Sequence, residues 1–391
     1  MSSIAVFPAT RRTALLPHSD IVAAAISSER HLVALACALG AAECGGPFSR
    51  QERALCTEAG EITIASEIVA AAAHAIRAGR DPLGEAFCTL RSGETRRGVG
   101  AYYTPAPLVE AMVDWLLATP LDQVIDPGAG SGRFAAAVAR RQPGLPIIAI
   151  DADPLATLMT RAALAVLNAN ATVFHQDYLT FERPQRAGVT GFVGNPPYVR
   201  HHDLSVEAKA WAANAARRLD IPVSGLAGLH VLFYMATALL MRAGDVGCFV
   251  TSAEWLDVGY GQMLRQLLTD RLALTSLALV APDADQVFAD ALTTALVAGF
   301  RASGPHEPVA VQLARSIAAI DLTDRATTLA VDTLSKTSRW GPLLRGESIP
   351  ASTHAPILGA IARVHRGIAT GANDFFVLTR DRATTLVVRQ G

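Results

Sequence analysis

Asn195-Pro196-Pro197-Tyr198 is the stretch of the 391-residue chain whose residue types most directly suggest chemistry. It follows an apolar run, Val189 to Val193, that reads as a short buried strand. Two successive prolines stop a helix and lack the amides that a central strand needs, so the run must end in a rigid turn. The Asn195 side-chain oxygen and the Pro196 carbonyl then form two fixed acceptors. Such a pair suits a planar amine or amide whose nitrogen lone pair is delocalised. Accepting both N–H protons as hydrogen bonds favours attack by that nitrogen, and preorganised acceptors do so without rearranging. Tyr198 offers a flat face on which a planar substrate stacks. His201 and His202 follow and read as part of a substrate loop rather than a metal pair, and Arg200 reads either as a phosphate contact or as a solvated surface residue.

A second constellation lies upstream. Asp126-Pro127-Gly128-Ala129-Gly130-Ser131-Gly132 follows one strand and opens a helix. Glycines let the backbone turn tightly against a ligand, and the helix N-terminus behind them favours a carboxylate or phosphate. The lysine of a phosphate-binding P-loop is missing, which argues against a nucleotide hydrolase. Asp151 ends the next strand, 25 residues after Asp126, where an acid accepts hydrogen bonds from ribose hydroxyls. Asp177 ends a third strand, within reach of an adenine edge. Acids at successive strand ends beside a glycine turn point to a nucleoside-containing cofactor at the carboxyl edge of an α/β sheet.

These groups require a sheet to hold them. From Gln123 onward, VIDP, LPIIAIDAD, ATVFHQDYL, VTGFVG and DVGCFVTS read as strands separated by helices, which implies a mostly parallel sheet. TSLALVA and TTALVAGF bring the expected strand count to seven and lie close together, as an antiparallel hairpin at one edge. Residues 1–98 are Ala-rich with helical periodicity and read as an α-helical N-terminal domain. Residues 99–320 form the α/β domain, and 321–391 a linker and the start of a further domain. Hydrophobic residues make up 51% and charged residues 18%, as in a globular chain. Five cysteines at 37, 44, 56, 88 and 248 form no CxxC pair, so a reduced, cytoplasmic protein without a metal site is expected. Neither a signal peptide nor a membrane span is read in the chain. A net charge of −1 gives no basic-protein signature and argues against an always-bound nucleic-acid partner, but leaves room for a local basic cleft.

Taken in order, these motifs resemble the gamma-class N6-adenine DNA methyltransferases of restriction–modification systems, over roughly residues 95–380. Tyr102-Tyr103-Thr104-Pro105 resembles that family's N-terminal cofactor motif. Asp126 with Gly128 and Gly130 resembles its glycine motif, Asp151 the ribose acid, Asp177 the adenine-contacting acid, and Asn195-Pro196-Pro197-Tyr198 the catalytic tetrad, whose Asn195 also borders the cofactor. The resemblance implies a Rossmann-like class I methyltransferase fold, S-adenosylmethionine as cofactor, and double-stranded DNA as partner. It implies direct methyl transfer to N6 of a flipped adenine, since N6 is out of reach in the stacked duplex. Phe288, in QVFADALTTALVAGF, would cover the adenine face opposite Tyr198, and RGIATGANDFFVLT (366–379) resembles the opening of a target-recognition domain. No Pro-Cys pair of the kind used for cytosine C5 occurs.

Two departures accompany the resemblance. Relatives usually open the helix after the tetrad with an acidic or amide residue followed by Leu-Tyr, whereas this chain has Gly228-Leu229-His230. Only about 25 residues follow Arg366, so either a second chain supplies the remainder of a recognition domain, or the protein is truncated, or it reads DNA poorly. Glu207-Ala-Lys209 after Asp203 is not read as a nuclease motif. The alternatives are N-methylation of protein glutamine or RNA, and a truncated protein that holds DNA or cofactor without turnover.

Overall fold

The computed structural model describes residues 18–91, 104–222, 224–281, 294–304, 307–347 and 362–363. The chain divides into two units, Met1–Glu347 and Ser348–Gly391, the first of which holds the sheet and the helices packed on it. Tyr102, Tyr103, Phe288 and the stretch 366–379 lie outside the described residues.

A sheet of nine strands forms the centre: β1 (Gln123–Pro127), β2 (Ile147–Asp151), β3 (Ala171–His175), β4 (Thr190–Gly194), β5 (Val246–Ser252), β6 (Ala273–Val280), β7 (Ala295–Arg301), β8 (Val309–Ala314) and β9 (Thr328–Leu329). Their order is β3-β2-β1-β4-β5-β7-β6-β8-β9. The strands from β3 to β5 pair parallel, and β7 runs antiparallel between β5 and β6. This corrects two expectations. The sheet has nine strands among the described residues rather than seven, and the β6–β7 pair is internal, because β8 pairs parallel with the far side of β6 and β9 follows it.

The N-terminal helices are α1 (His18–Ala25), α2 (Glu29–Ala38), α3 (Arg50–Ala59), α4 (Ser66–Arg77) and α5 (Pro82–Leu90). Their starts follow local chemistry. Ser49 and Glu52 form a reciprocal capping box on α3, and Asp81 caps α5 ahead of Pro82.

Alternation along each strand divides the core by face. Val124, Ile147, Ala149, Val193 and Cys248 enter one apolar cluster, with α6 (Ala106–Leu117) and α7 (Arg133–Arg141). The apolar faces of the N-terminal helices share a second cluster with Leu155, Leu158, Met159 and Ala162 of α8 (Pro154–Val166), the crossover between β2 and β3. Ile125, Ile148, Ile150, Phe192 and Phe249 enter a third, with α9 (Val206–Leu219) and α10 (Leu229–Leu240). The residues from 321 to 347 lie in this same unit, where the Trp340 ring meets Trp255 edge-on at 5.9 Å.

Arg161 on α8 ties these layers together. It is 0% exposed, as is its ion-pair partner Glu52 at 2.8 Å. Its remaining N–H groups donate to the carbonyls of Gly45 (3.0 Å), Pro47 (2.9 Å) and Val173 (2.9 Å). Gly45 itself bridges to Thr172 on the open side of β3, so the edge strand is covered by the N-terminal segment. Its backbone approaches so closely that a Cβ at 45 would lie 2.5 Å from the Ala171 carbonyl oxygen. Replacing Arg161 with Ala leaves the buried Glu52 carboxylate without its ion-pair partner and takes a donor from the Pro47 and Val173 carbonyls. The expected loss is about 3–5 kcal/mol of unfolding free energy, measured by urea denaturation. A loss under about 1 kcal/mol would show that water reaches this pair.

Candidate cofactor and catalytic cleft

At the carboxyl ends of β1, β2, β3 and β4 lies a cleft of about 660 Å³, within the range of about 300–1,000 Å³ usual for small-molecule sites. Its walls include Gly128, Gly130, Asp151, Asp177, Asn195 and Pro197. Sequence-separated segments thus meet at one site, as the strand order requires: β1 lies between β2 and β4, and the crevice opens at its tip.

The glycine turn is built backbone first. The amides of Gly128 and Ala129 both donate to the Ile150 carbonyl, at 2.8 and 3.0 Å. Gly128, Gly130 and Gly132 all have positive φ (68°, 59° and 84°), which strains any other residue. A Cβ on Gly130 would meet nothing within 4 Å, so its open side is free for a ligand. A Cβ on Gly132 would lie 3.1 Å from the Thr160 Cα, so there close packing on α8 also demands glycine.

Asp126 sits behind this turn rather than in the cleft wall. It is fully buried, and its Oδ2 accepts the Ala135 amide at 3.0 Å while Oδ1 has no hydrogen-bond partner among the described residues. Burial pushes its carboxyl up to about 8, opposed by that amide and reinforced by the Asp151 charge. Its hydrogen bond with the Ala135 amide ties the end of β1 to the first turn of α7. Asp151 does line the cleft: its carboxylate accepts Gly130 N and Asp153 N, each at 2.8 Å. Burial raises its pKa, and the two amides hold it back toward the ionised form. Asp177 lines the cleft and accepts the Leu179 amide at 2.9 Å as the cap of a short turn.

The tetrad is placed by its neighbours. Gly194 lets β4 end close against β1, since a Cβ there would lie 3.0 Å from the Pro127 carbonyl oxygen. Asn195 Nδ2 donates to Thr104 Oγ1 at 3.0 Å, joining the tetrad to the Thr104-Pro105 end of the tyrosine motif. With the nitrogen donating to Thr104, the oxygen is the acceptor end of the amide. Pro196 is buried and Pro197 faces the cleft. The Tyr198 hydroxyl donates to the Val250 carbonyl at 3.4 Å, and its ring lies 6.2 Å from that of His230.

His230 explains the altered start of α10. The Leu229 amide donates to the Val199 carbonyl at 2.9 Å, and a Cβ at 228 would lie 2.8 Å from that same oxygen. Gly228 therefore lets the helix start close on the end of the tetrad turn. His230, buried with Nε2 unpartnered among the described residues, fills the space beside Tyr198, and burial pushes its pKa down to about 4.

Other wall residues carried no sequence signal. Gly84, Phe87 and Cys88 come from α5, Arg133 from α7, and Phe233 from α10. Asp203, Leu204 and Ser205 follow His201 and His202, which sit on a partly exposed turn with His202 Nε2 3.3 Å from Asp203 Oδ2. Among the described residues no cluster of three or more His, Cys, Asp or Glu side chains could hold a metal, and no helix is long and apolar enough to cross a membrane.

Comparison with known proteins agrees with this geometry. Residues 108–221 match the methyltransferase small domain, and residues 172–288 match the Eco57I restriction-modification methylase family. The chain is 43% identical over 282 residues to the type II methyltransferase M.XamI of Xanthomonas campestris pv. amaranthicola, covering 71% of this chain and 53% of that protein. It is 24% identical over 303 residues to the type II methyltransferase M.AccI of Acinetobacter calcoaceticus, covering 74% and 55%. The chain thus spans about half the length of the curated relatives it matches. Its fold is similar to that of a Listeria monocytogenes protein described as a class I S-adenosylmethionine-dependent methyltransferase, with a TM-score of 0.53, 13% identity, and coverage of 78% of this chain and 92% of that one. The methyltransferase-domain match and the type II methyltransferase relatives support S-adenosylmethionine as the cofactor. The cleft fits it: an open glycine backbone, an acid at the end of β2 and another beyond β3 line one continuous space.

The buried imidazole makes a pH prediction. A folded pKa near 4 against about 6.5 unfolded means that only the unfolded chain takes up the proton between those values. Stability supplied by neutral His230 is complete above about pH 6.5 and is lost as pH falls toward 4. His230→Phe keeps a ring in the space and removes the titration. Its urea midpoint should fall less than that of the parent between pH 7 and 4.5, and parallel declines would place the acid sensitivity elsewhere.

Proposed function

We propose that this chain carries the catalytic machinery of a DNA adenine-N6 methyltransferase of a restriction–modification system. The observation that supports this most is that one cleft is lined by Gly128, Gly130, Asp151 and Asp177 together with Asn195 and Pro197. Cofactor residues and two members of the tetrad therefore face the same space, whereas Pro196 and Tyr198 are not among its lining residues. The type II methyltransferase relatives favour DNA as the substrate.

In this reading, Asp151 binds the ribose hydroxyls and Asp177 the adenine of the cofactor, while Gly128 and the open backbone at Gly130 border its methionine portion. Thr104 and Pro105, with Tyr102 and Tyr103 before them, close the cofactor side. When bound, the cofactor supplies an electrophilic methyl group. Asn195 Oδ1 and the Pro196 carbonyl accept the two protons of the target amine, which favours attack by a nitrogen that is otherwise a weak nucleophile. Pro197 keeps the turn from relaxing. Tyr198 stacks on one face of the flipped adenine and Phe288 covers the other. Holding the target in place accounts for much of the rate, so the enzyme needs neither a metal nor a covalent intermediate. The DNA sequence is read by recognition elements beyond the described residues or on a second chain, and the protein acts in the cytoplasm.

Labelled S-adenosylmethionine incubated with unmethylated genomic DNA, followed by nucleoside digestion and mass spectrometry, tests the assignment. N6-methyladenine should form. Asn195→Ala should lower its rate by about 10²–10³-fold while cofactor affinity, read by calorimetry, stays close to that of the parent. Label appearing in RNA or on protein glutamine instead of DNA adenine would overturn the substrate assignment.

A further inference from the structure

The N-terminal helices reach the tetrad through a chain of polar contacts. Asp81, the cap of α5, is buried, and its Oδ1 accepts the Gly84 amide at 2.8 Å. Its Oδ2 accepts from Ser131 Oγ in the glycine turn and from Arg133 Nε, the latter at 3.0 Å. Arg133 in turn donates from Nη1 to the Thr104 carbonyl. Thr104 Oγ1 accepts from Asn195 Nδ2 at 3.0 Å. Arg133 and Asp81 keep only 13% and 11% of their side chains exposed, so this ion pair is shielded from the screening that weakens surface pairs.

We propose that Asp81 and Arg133 are positioning residues for Asn195. Resting on the function proposed above, the inference concerns how the acceptor amide is held. The guanidinium nitrogens divide the contacts between them. Nε binds Asp81, and Nη1 fixes the Thr104 backbone, whose side chain then fixes the Asn195 nitrogen. A planar fork spans both acceptors, whereas an ammonium offers a single point of attachment. The direction of the Asn195 oxygen therefore depends on a carboxylate from α5, more than one hundred residues away in sequence. The helical segment is a working wall of the cleft rather than packing alone. The same carboxylate binds Ser131, so the glycine turn and the tetrad share one anchor.

The test reads Asn195 directly. The chain has five asparagines, so selective ¹⁵N-asparagine labelling gives few side-chain amide signals, and Asn195→Ala identifies the one required. In the full chain, Arg133→Lys and Asp81→Asn should each shift that signal. Both should also lower kcat for methyl transfer on the order of tenfold to a hundredfold, with a much smaller change in KM for DNA. Should Arg133→Lys fail to fold, Asp81→Asn and Thr104→Val supply the same reading, because each breaks one link. An unmoved Asn195 signal in a folded Asp81 or Arg133 variant, with only the unfolding midpoint lowered, would overturn the inference and leave the pair a structural clasp. The signal shift stands whether or not the parent methylates DNA, so failure of the function proposed above is read separately, from an inactive parent.

Discussion

The carbonyl of Ile150 is the acceptor around which the cleft is organised. By taking the amides of both Gly128 and Ala129, it bends the chain leaving β1 across the end of β2. The next residue, Asp151, then accepts Gly130 N and Asp153 N, so its carboxylate closes the glycine turn and helps start α8. Two consecutive residues of one strand thereby fix the exit of its neighbour and the entrance of its own crossover helix. The sheet order turns this local arrangement into a site: β2 and β4 flank β1 on opposite sides, so the two segments leaving β1 and β4 face each other over the tip of β1.

What could be read from the sequence divides along the same line. The glycine turn, Asp151, Asp177 and the tetrad each sit within a few residues of a strand end, where a short apolar run followed by turn chemistry marks the position. Parallel pairing then brings the ends together without further instruction. The wall from α5 could not be read this way. Asp81 ahead of Pro82 carries the signature of a helix cap, which it is, and nothing nearby shows that its second oxygen serves Ser131 and Arg133. The strand count failed for a related reason. Five strands follow from strand–helix alternation and two more from adjacent apolar runs read as an edge hairpin, but β7 inserts between β5 and β6 and leaves the other side of β6 unpaired. An eight-residue apolar strand left open is an aggregation hazard, and Val309–Ala314 covers it without any intervening helix to announce the pairing.

Buried ionisable groups are handled in two ways. Arg161 with Glu52, and Arg183 with Asp245, are pairs whose members also bond backbone or hydroxyl groups, so burial leaves few of their polar atoms unmatched. Asp126 and His230 have no ionic partner among the described residues, and desolvation drives each toward its neutral form, the acid upward and the imidazole downward. Asp126 lies behind the glycine turn and His230 against the Tyr198 ring. A neutral His230 gives Tyr198 a flat neighbour without adding a cation to the site.

The N-terminal helices bear on the cleft from two directions. Through Glu52 and Arg161 they are fixed to the buried side of α8, one position from Thr160, whose hydroxyl donates to the Gly130 carbonyl at 2.9 Å. Through Asp81 they reach the opposite end of the glycine turn, at Ser131 and Arg133. The turn is thus held from beneath by α8 and from the side by α5, and its amides need no ligand to keep their direction. Preorganisation of this kind has a physical consequence: ordering that is complete in the folded chain is not charged against the affinity of whatever enters the cleft. A segment that composition marks only as Ala-rich helix is therefore part of the means by which a neutral, lysine-poor chain can hold a small polar ligand rigidly.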